Sequence, residues 1–153
     1  MSDFFSLPHP NEINRRKDKK VSAMGKPKVS VCTPTYNRRL FIPQLIRCFK
    51  SQNYPKELLE WIIIDDGEDK VEDLFKDVPC VKYFRVDEKM KLGRKRNYMH
   101  EKCSGDILVY MDDDDYYPPK RVSHAVSRLM SQPRAVAAGS SIVFIYVNDL
   151  EKV

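Results

Sequence analysis

Asp112-Asp113-Asp114-Asp115 sets four consecutive carboxylates directly behind the apolar run Ile107-Leu108-Val109-Tyr110-Met111. Carboxylates in a row repel one another and resist burial, so something positive must compensate them. A divalent cation is the simplest candidate. Mg²⁺ or Mn²⁺ prefers carboxylate oxygens and takes one or two of them together with substrate phosphates. The competing reading is a solvated acidic turn, the usual fate of a charge run. Three other segments carry chemistry. Thr33-Pro34-Thr35-Tyr36-Asn37-Arg38 offers a ring and a cation, and Asp65-Asp66-Gly67 offers an acidic pair. Lys89-Met90-Lys91-Leu92-Gly93-Arg94-Lys95-Arg96-Asn97 holds five basic residues and opens a helical pattern. A helix N-terminus flanked by Arg and Lys suits an anion.

The elements that must position these groups follow from periodicity. Val29 to Thr33 reads as a strand ended by Pro34, Leu59 to Ile64 as a second, Val81 to Val86 as a third and residues 106–111 as a fourth. Helices are expected over 39–52, with Leu40, Phe41, Leu45, Ile46 and Phe49 on one face and Pro43 in the first turn, over 93–103 and over 119–131. A short helix is expected around 69–76, and one or two further strands between Arg134 and Val147. Strands alternating with helices imply an α/β fold: a mostly parallel sheet with helices on both faces. Ligands of such sheets bind outside the carboxyl ends of the strands, where the first, second and acidic segments all fall.

Composition narrows the class. A chain of 153 residues with 42% hydrophobic content is one domain with a real core. Residues 1–28 hold seven basic and three acidic residues, and the remaining 125 hold 20 basic and 19 acidic, so +4 of the net +5 belongs to the start of the chain. Residues 1–27 read as a flexible basic leader and 28–153 as the folded domain. The basic leader raises a nucleic-acid partner as a further reading, but a near-neutral body with an acidic cluster argues against it, because phosphate backbones need a basic surface, and no nucleic acid is expected. Cys32, Cys48, Cys80 and Cys103 show no CxxC spacing and read as reduced thiols. With no membrane-length apolar run or signal-peptide core, a cytoplasmic location is expected.

Taken together, VSVCTPTYNR, WIIIDDGED, GRKRN and GDILVYMDDDDYYPPKR, in this order, resemble the nucleotide-binding half of a family 2 glycosyltransferase with the GT-A (Rossmann-like) fold. The resemblance covers about residues 28–147. It implies a nucleoside-diphosphate sugar, UDP- or GDP-linked, as donor, and a glycan, lipid or protein as acceptor. It implies Mn²⁺ or Mg²⁺ as cofactor and inverting displacement of the hexosyltransferase type. Pro34 and Tyr36 fall where the family contacts the nucleobase, and Asp66 matches the carboxylate that binds the base ring. Arg96 falls where a basic residue faces the diphosphate. Asp112 and Asp114 match the outer members of the DxD motif. Asp114 is the direct metal ligand of the pair, Asp112 contacts ribose or metal, and Asp113 takes the variable middle position within the donor site.

Plainer readings stand beside these. Tyr36 can cover a loop. Asp65 is structural, and Arg94 and Lys95 are solvated. His100 is a surface or packed helix residue, and His9 and His124 have no constellation around them. Trp61 is core, while Tyr116 and Tyr117 wall a sugar site or pack in the core. In the family the catalytic domain runs on past a fifth strand to the acceptor site and the catalytic base. The expectation is therefore a donor half with no identifiable base, dependent on a C-terminal region or a partner chain for transfer. The alternative function is a non-catalytic nucleotide-sugar-binding module. A nucleotidyltransferase also uses metal-binding carboxylates, but a glycine-rich phosphate loop is missing near the first strand.

Overall fold

The structure, a computed structural model, describes residues 25–140. The leader expected over 1–27 lies outside them except for its last three residues. Four strands form one sheet: β1 (Val29–Thr35), β2 (Leu59–Asp65), β3 (Val81–Arg85) and β4 (Ile107–Tyr110). All neighbouring pairs are parallel, in the order β3-β2-β1-β4. Three helices accompany them: α1 (Ile42–Lys50), α2 (Leu92–Lys102) and α3 (Arg121–Met130). The parallel sheet with covered faces is the expected α/β fold. No helix among the described residues is long and apolar enough to cross a membrane.

Strand side chains alternate between two cores with a period of two. Val29, Val31, Trp61, Ile63, Val109 and Met111 meet α1 and α3 on one face. Cys32, Ile62 and Ile64 meet Met99 of α2 on the other, with Leu108, Tyr110 and Phe84 packed alongside. The Trp61 ring stacks on Phe49 at 4.1 Å and meets Phe75 edge-on at 5.3 Å. Its Nε1 donates to Thr33 Oγ1 at 2.9 Å, so a polar atom in the core is satisfied.

Several expectations are corrected. β1 does not stop at Pro34 but continues to Thr35, with Pro34 opposite Ile64. The Met111 N–H donates to the Cys32 carbonyl, so even-numbered β1 residues turn their backbone groups toward β4. The β4 ladder ends at Cys32–Tyr110, and the missing N–H of Pro34 falls beyond it. The helix expected over 39–52 begins only at Ile42. Its buried face is Ile42, Leu45, Cys48 and Phe49, while Leu40 is 91% exposed and Phe41 also faces solvent. With the start three residues later, Leu40 and Phe41 precede the helix and lie outside its apolar stripe. The segment around 69–76 forms only a 3₁₀ turn, Glu72–Phe75. No strand forms between Arg134 and Ser140, and the rest of that expected stretch lies outside the described residues.

The chain order matters for the site. It runs β1, β2, β3 across the sheet and then returns to place β4 on the far side of β1. Strand order reverses at the β1–β4 edge, which is where open α/β sheets form their ligand crevice.

Candidate functional site

A crevice of about 290 Å³ opens at the carboxyl ends of β1 and β4. Pro34, Thr35 and Tyr36 line it from β1, Leu92, Lys95 and Arg96 from the start of α2, and Asp112, Asp113 and Asp114 from the loop after β4, with Arg38 at the rim. Of the residues expected at a donor site, only Asp66 is absent from this lining.

Two close approaches shape the mouth. A Cβ on Gly67 would lie 2.6 Å from the Asn37 backbone nitrogen, so only glycine lets the loops after β1 and β2 touch. Asn37, at φ 53°, then accepts the Glu68 and Asp69 N–H groups on its side-chain oxygen at 2.8 and 3.1 Å. On the β4 side, Thr33 Oγ1 donates to the Met111 carbonyl at 2.6 Å, tying the base of the acidic loop to β1.

The acidic loop is held by Tyr117. Its hydroxyl accepts the Asp112 N–H at 2.6 Å and donates to Asp115 Oδ2 at 3.3 Å. Burial and the neighbouring carboxylates push the Tyr117 phenol up from its ordinary value. The aromatic pair expected either in the core or against a sugar thus divides. Tyr117 packs against the core and positions the loop, whereas Tyr116 is 71% exposed. The four carboxylates also differ. Asp113 is buried, and that burial raises its carboxyl above the ordinary value. Asp114 and Asp115 are exposed, and Asp112 is intermediate.

Cations answer these carboxylates. Arg96 Nη2 lies 3.4 Å from Asp112 Oδ2, and its guanidinium rests 5.0 Å from the centre of the Tyr110 ring. Arg38 Nη2 lies 3.6 Å from Asp114 Oδ2 at the solvent edge. Such half-exposed pairs are weak and readily exchanged for a ligand. Among the described residues, three buried side-chain polar atoms lack a hydrogen bond of ordinary length and angle: Thr35 Oγ1, Arg96 Nε and Asp112 Oδ1. All three belong to residues of this crevice. Orphaned buried polar atoms are costly, and clustered ones mark a place built for something else to bind.

Lys95 departs from the solvated role expected of it. It is 5% exposed, and its Nζ pairs with Asp66 Oδ1 and donates to the Thr35 carbonyl at 3.1 Å. The Met90 N–H donates to the other Asp66 oxygen at 2.7 Å. Both oxygens of Asp66 are therefore engaged, and Lys95 is the member of the pair that reaches the crevice wall. The half-buried Tyr36 ring carries the Lys89 ammonium at 4.1 Å, so a base stacking on that face would take Lys89's place. Asp65 is structural, as expected. It is fully buried and accepts from the Gly67 and Val71 N–H groups at 2.8 and 3.1 Å and from the Tyr83 hydroxyl. Among the described residues no three His, Cys, Asp or Glu side chains converge as a metal cage.

The residues that sequence reasoning missed, Lys95 and Tyr117, had weak local signals. Lys95 repeats every four positions with Met99 on the buried face of α2. Tyr117 lies five residues past Asp112, in a loop whose path no periodicity describes.

Fold and crevice together define an α/β domain of the Rossmann-like GT-A type. Staphylococcus aureus TarS shares this architecture, with a TM-score of 0.62 at 24% identity over 68% of this chain and 32% of that one. So does the mannosyltransferase PcManGT of Pyrobaculum calidifontis, solved with GDP-Man and Mn²⁺, with a TM-score of 0.61 at 20% identity over 77% of this chain and 38% of that one. Residues 30–152 match the model of glycosyl transferase family 2, and the chain belongs to that family. The GalNAc(5)-diNAcBac-PP-undecaprenol beta-1,3-glucosyltransferase of Campylobacter jejuni is 32% identical over 113 residues, covering 69% of this chain and 34% of its own length. The glucosyl-dolichyl phosphate glucuronosyltransferase of Haloferax volcanii is 30% identical over 119 residues, covering 75% of this chain and 37% of its own. The chain spans about a third of the length of these relatives.

Proposed function

We propose that this chain carries the donor site of a metal-dependent, inverting glycosyltransferase that moves a hexosyl group from a UDP- or GDP-sugar to an acceptor hydroxyl. The observation that carries this reading is the cluster of orphaned atoms on Thr35, Arg96 and Asp112 around one crevice at the strand-order reversal. Support also comes from relatives and neighbours. TarS has been solved with UDP-GlcNAc, and PcManGT with GDP-Man and Mn²⁺. The names of two relatives carry PP-undecaprenol and dolichyl phosphate, which favours a lipid-linked acceptor over a free glycan or a protein.

In this reading Pro34 and Tyr36 border the base, and Asp112 and Asp113 face the ribose side. Arg96, released from its long contact with Asp112, turns its guanidinium to the diphosphate. Asp114, with Asp112, would hold Mn²⁺ or Mg²⁺. Two carboxylates suffice because such ions take their remaining oxygens from substrate phosphates and water. The bound ion supplies neutralisation of the charge that develops on the leaving diphosphate. Transfer then forms a bond from the acceptor oxygen to the anomeric carbon as the carbon–diphosphate bond breaks. The acceptor's proton passes to a general base and the configuration inverts. The residues named here serve the leaving-group side of that step.

Asp114→Ala tests the reading. Wild-type chain should bind UDP or GDP in calorimetry with a clear Mn²⁺ dependence, and its Tm should rise with ligand by mass action. The variant should lose at least ~10-fold in Mn²⁺-dependent affinity, about the worth of one charge-assisted contact. Its Tm without ligand should match the wild type, because Asp114 is exposed. Unchanged affinity and metal dependence in Asp114→Ala would refute the assignment.

A further inference from the structure

We propose that Cys32 and Cys103 form a redox modification site, at which a peroxide converts the two thiols into an intramolecular disulfide that staples β1 to the end of α2. The site lies apart from the residues that line the crevice and stands independently of the function proposed for them.

All four cysteines are free thiols, yet Cys32 Sγ and Cys103 Sγ lie 3.5 Å apart across 71 positions of sequence. Sulfurs of a disulfide stand about 2.05 Å apart, so a closure of roughly 1.5 Å makes the bond. The fold holds both residues in place. Cys32 is fully buried on β1 and packs with Ile62, Ile64 and Met99. Cys103 is the cap residue directly after α2, and its Sγ donates to the Met99 carbonyl at 3.2 Å. Two residues on, the Gly105 N–H donates to Ser30 Oγ at 2.8 Å, and a Cβ on Gly105 would lie 2.5 Å from the Ser30 nitrogen. That close approach presses the turn after α2 against β1, so the thiol contact is set by the backbone rather than by two loose side chains. Cys48 and Cys80 pack on the other face of the sheet.

Access and acidity divide the roles. Cys32 is sealed in the core and Cys103 is half-buried, so a small peroxide meets Cys103 first. The hydrogen bond from Cys32 lowers the Cys103 thiol from its ordinary value, whereas that same contact and burial raise Cys32. The thiolate is the nucleophile of such chemistry. The Cys103 thiolate attacks one peroxide oxygen and the O–O bond breaks. Hydroxide leaves, takes up the proton that Cys103 had released, and the sulfur is left as a sulfenic acid. Cys32 Sγ then attacks the Cys103 sulfur. The S–S bond forms as the S–O bond breaks, and the departing hydroxide carries off the Cys32 proton as water. The thiol pair is oxidised by two electrons and the peroxide is reduced to two waters.

Hydrogen peroxide in small excess on the full wild-type chain, followed by alkylation, proteolysis and mass spectrometry, tests this. The expected result is a Cys32–Cys103 cross-linked peptide from monomeric chain, with Cys48 and Cys80 still alkylated, and recovery of both thiols with dithiothreitol. Tm should rise by at least ~5 °C on oxidation, because the bond closes a long loop in the unfolded chain. Cys103→Ser should abolish both the link and the rise. Cys32→Ala should halt the reaction at the Cys103 sulfenic acid, trapped with dimedone. A link between other cysteines, over-oxidation of Cys103 beside a free Cys32, or no link at all overturns the proposal. So does a linked chain whose Tm falls, since the native sheet would then not accept the bond.

Discussion

A carboxylate at a strand end is useful only if its backbone is held, and here the holder is Tyr117. Its hydroxyl is the acceptor for the Asp112 N–H at 2.6 Å. Tyr117→Phe keeps the ring packing and deletes that acceptor. The Asp112 N–H is then left to water, or to nothing, at a cost of about 1–3 kcal/mol. The expected outcome is a modest fall in Tm together with a loss of nucleotide affinity, because the acidic loop loosens. Chemical denaturation and calorimetry on the same sample check it. A Tm change with wild-type affinity would mean that Tyr117 stabilises the fold without ordering the site. Arg96 is the second residue whose setting matters. Its Nε is orphaned while its Nη2 makes only the 3.4 Å contact with Asp112, an arrangement suited to exchange for phosphate oxygens.

Among the elements, β1 does most to build the site. It lies between β2 and β4, and its last three residues extend beyond its pairing with β4. That overhang exposes Pro34 and Thr35 to the crevice. Thr33 closes the junction, since its hydroxyl accepts from Trp61 Nε1 and donates to the Met111 carbonyl. Thr33→Val is nearly the same shape but strands both partners in the core. The predicted destabilisation is about 2–4 kcal/mol, two lost core hydrogen bonds, read from urea unfolding. At the neighbouring loop, Gly67→Ala should separate the Asn37 and Glu68 turns, because the added carbon would sit 2.6 Å from backbone. A shift of the Asn37 and Glu68 amide resonances with the sheet resonances unmoved is the expected NMR signature.

At the scale of the whole molecule, the opposite end of the sheet holds a buried charge remote from the site. Glu60 is 3% exposed and accepts from Ser30 Oγ at 2.5 Å, the Ser104 N–H at 2.5 Å and Lys82 Nζ at 2.8 Å. Burial alone would raise its carboxyl, but these hydrogen bonds outweigh burial and carry it well below the ordinary 4.5. A depressed folded-state value means that the carboxylate's contribution is complete above pH 4.5 and is lost as pH falls from there toward the folded-state value. Acid should therefore destabilise the chain below about pH 4.5. Glu60→Gln should lower stability at pH 7 by about 1–3 kcal/mol and flatten the acid limb. Urea midpoints from pH 7 down to pH 3 check both. An unchanged acid limb in the variant would remove Glu60 from this role.

Local composition and period were enough to determine the strands, their parallel pairing and the gathering of chemistry at their carboxyl ends. Val29 to Val31, Trp61 to Ile64 and Ile107 to Met111 carry apolar and β-branched runs that fit a sheet covered on both faces. Asp112 to Asp114 were legible as candidates because four consecutive carboxylates behind an apolar strand need a compensating charge, whereas Arg96, Tyr36 and Pro34 were singled out by the resemblance to family 2 glycosyltransferases. What only the tertiary structure decided are contacts between residues distant in sequence. Lys95 meets Asp66 across 29 residues, and Thr33 meets Met111 across 78. Nothing in the helical pattern of α2 distinguishes a lysine bound to a buried carboxylate from one in water. The late start of α1, which leaves Leu40 exposed, depends on how Arg38 to Phe41 turn after β1. Pro34 is tolerated within a strand only because β4 ends before reaching it, and where a neighbouring strand stops is a property of the assembled sheet.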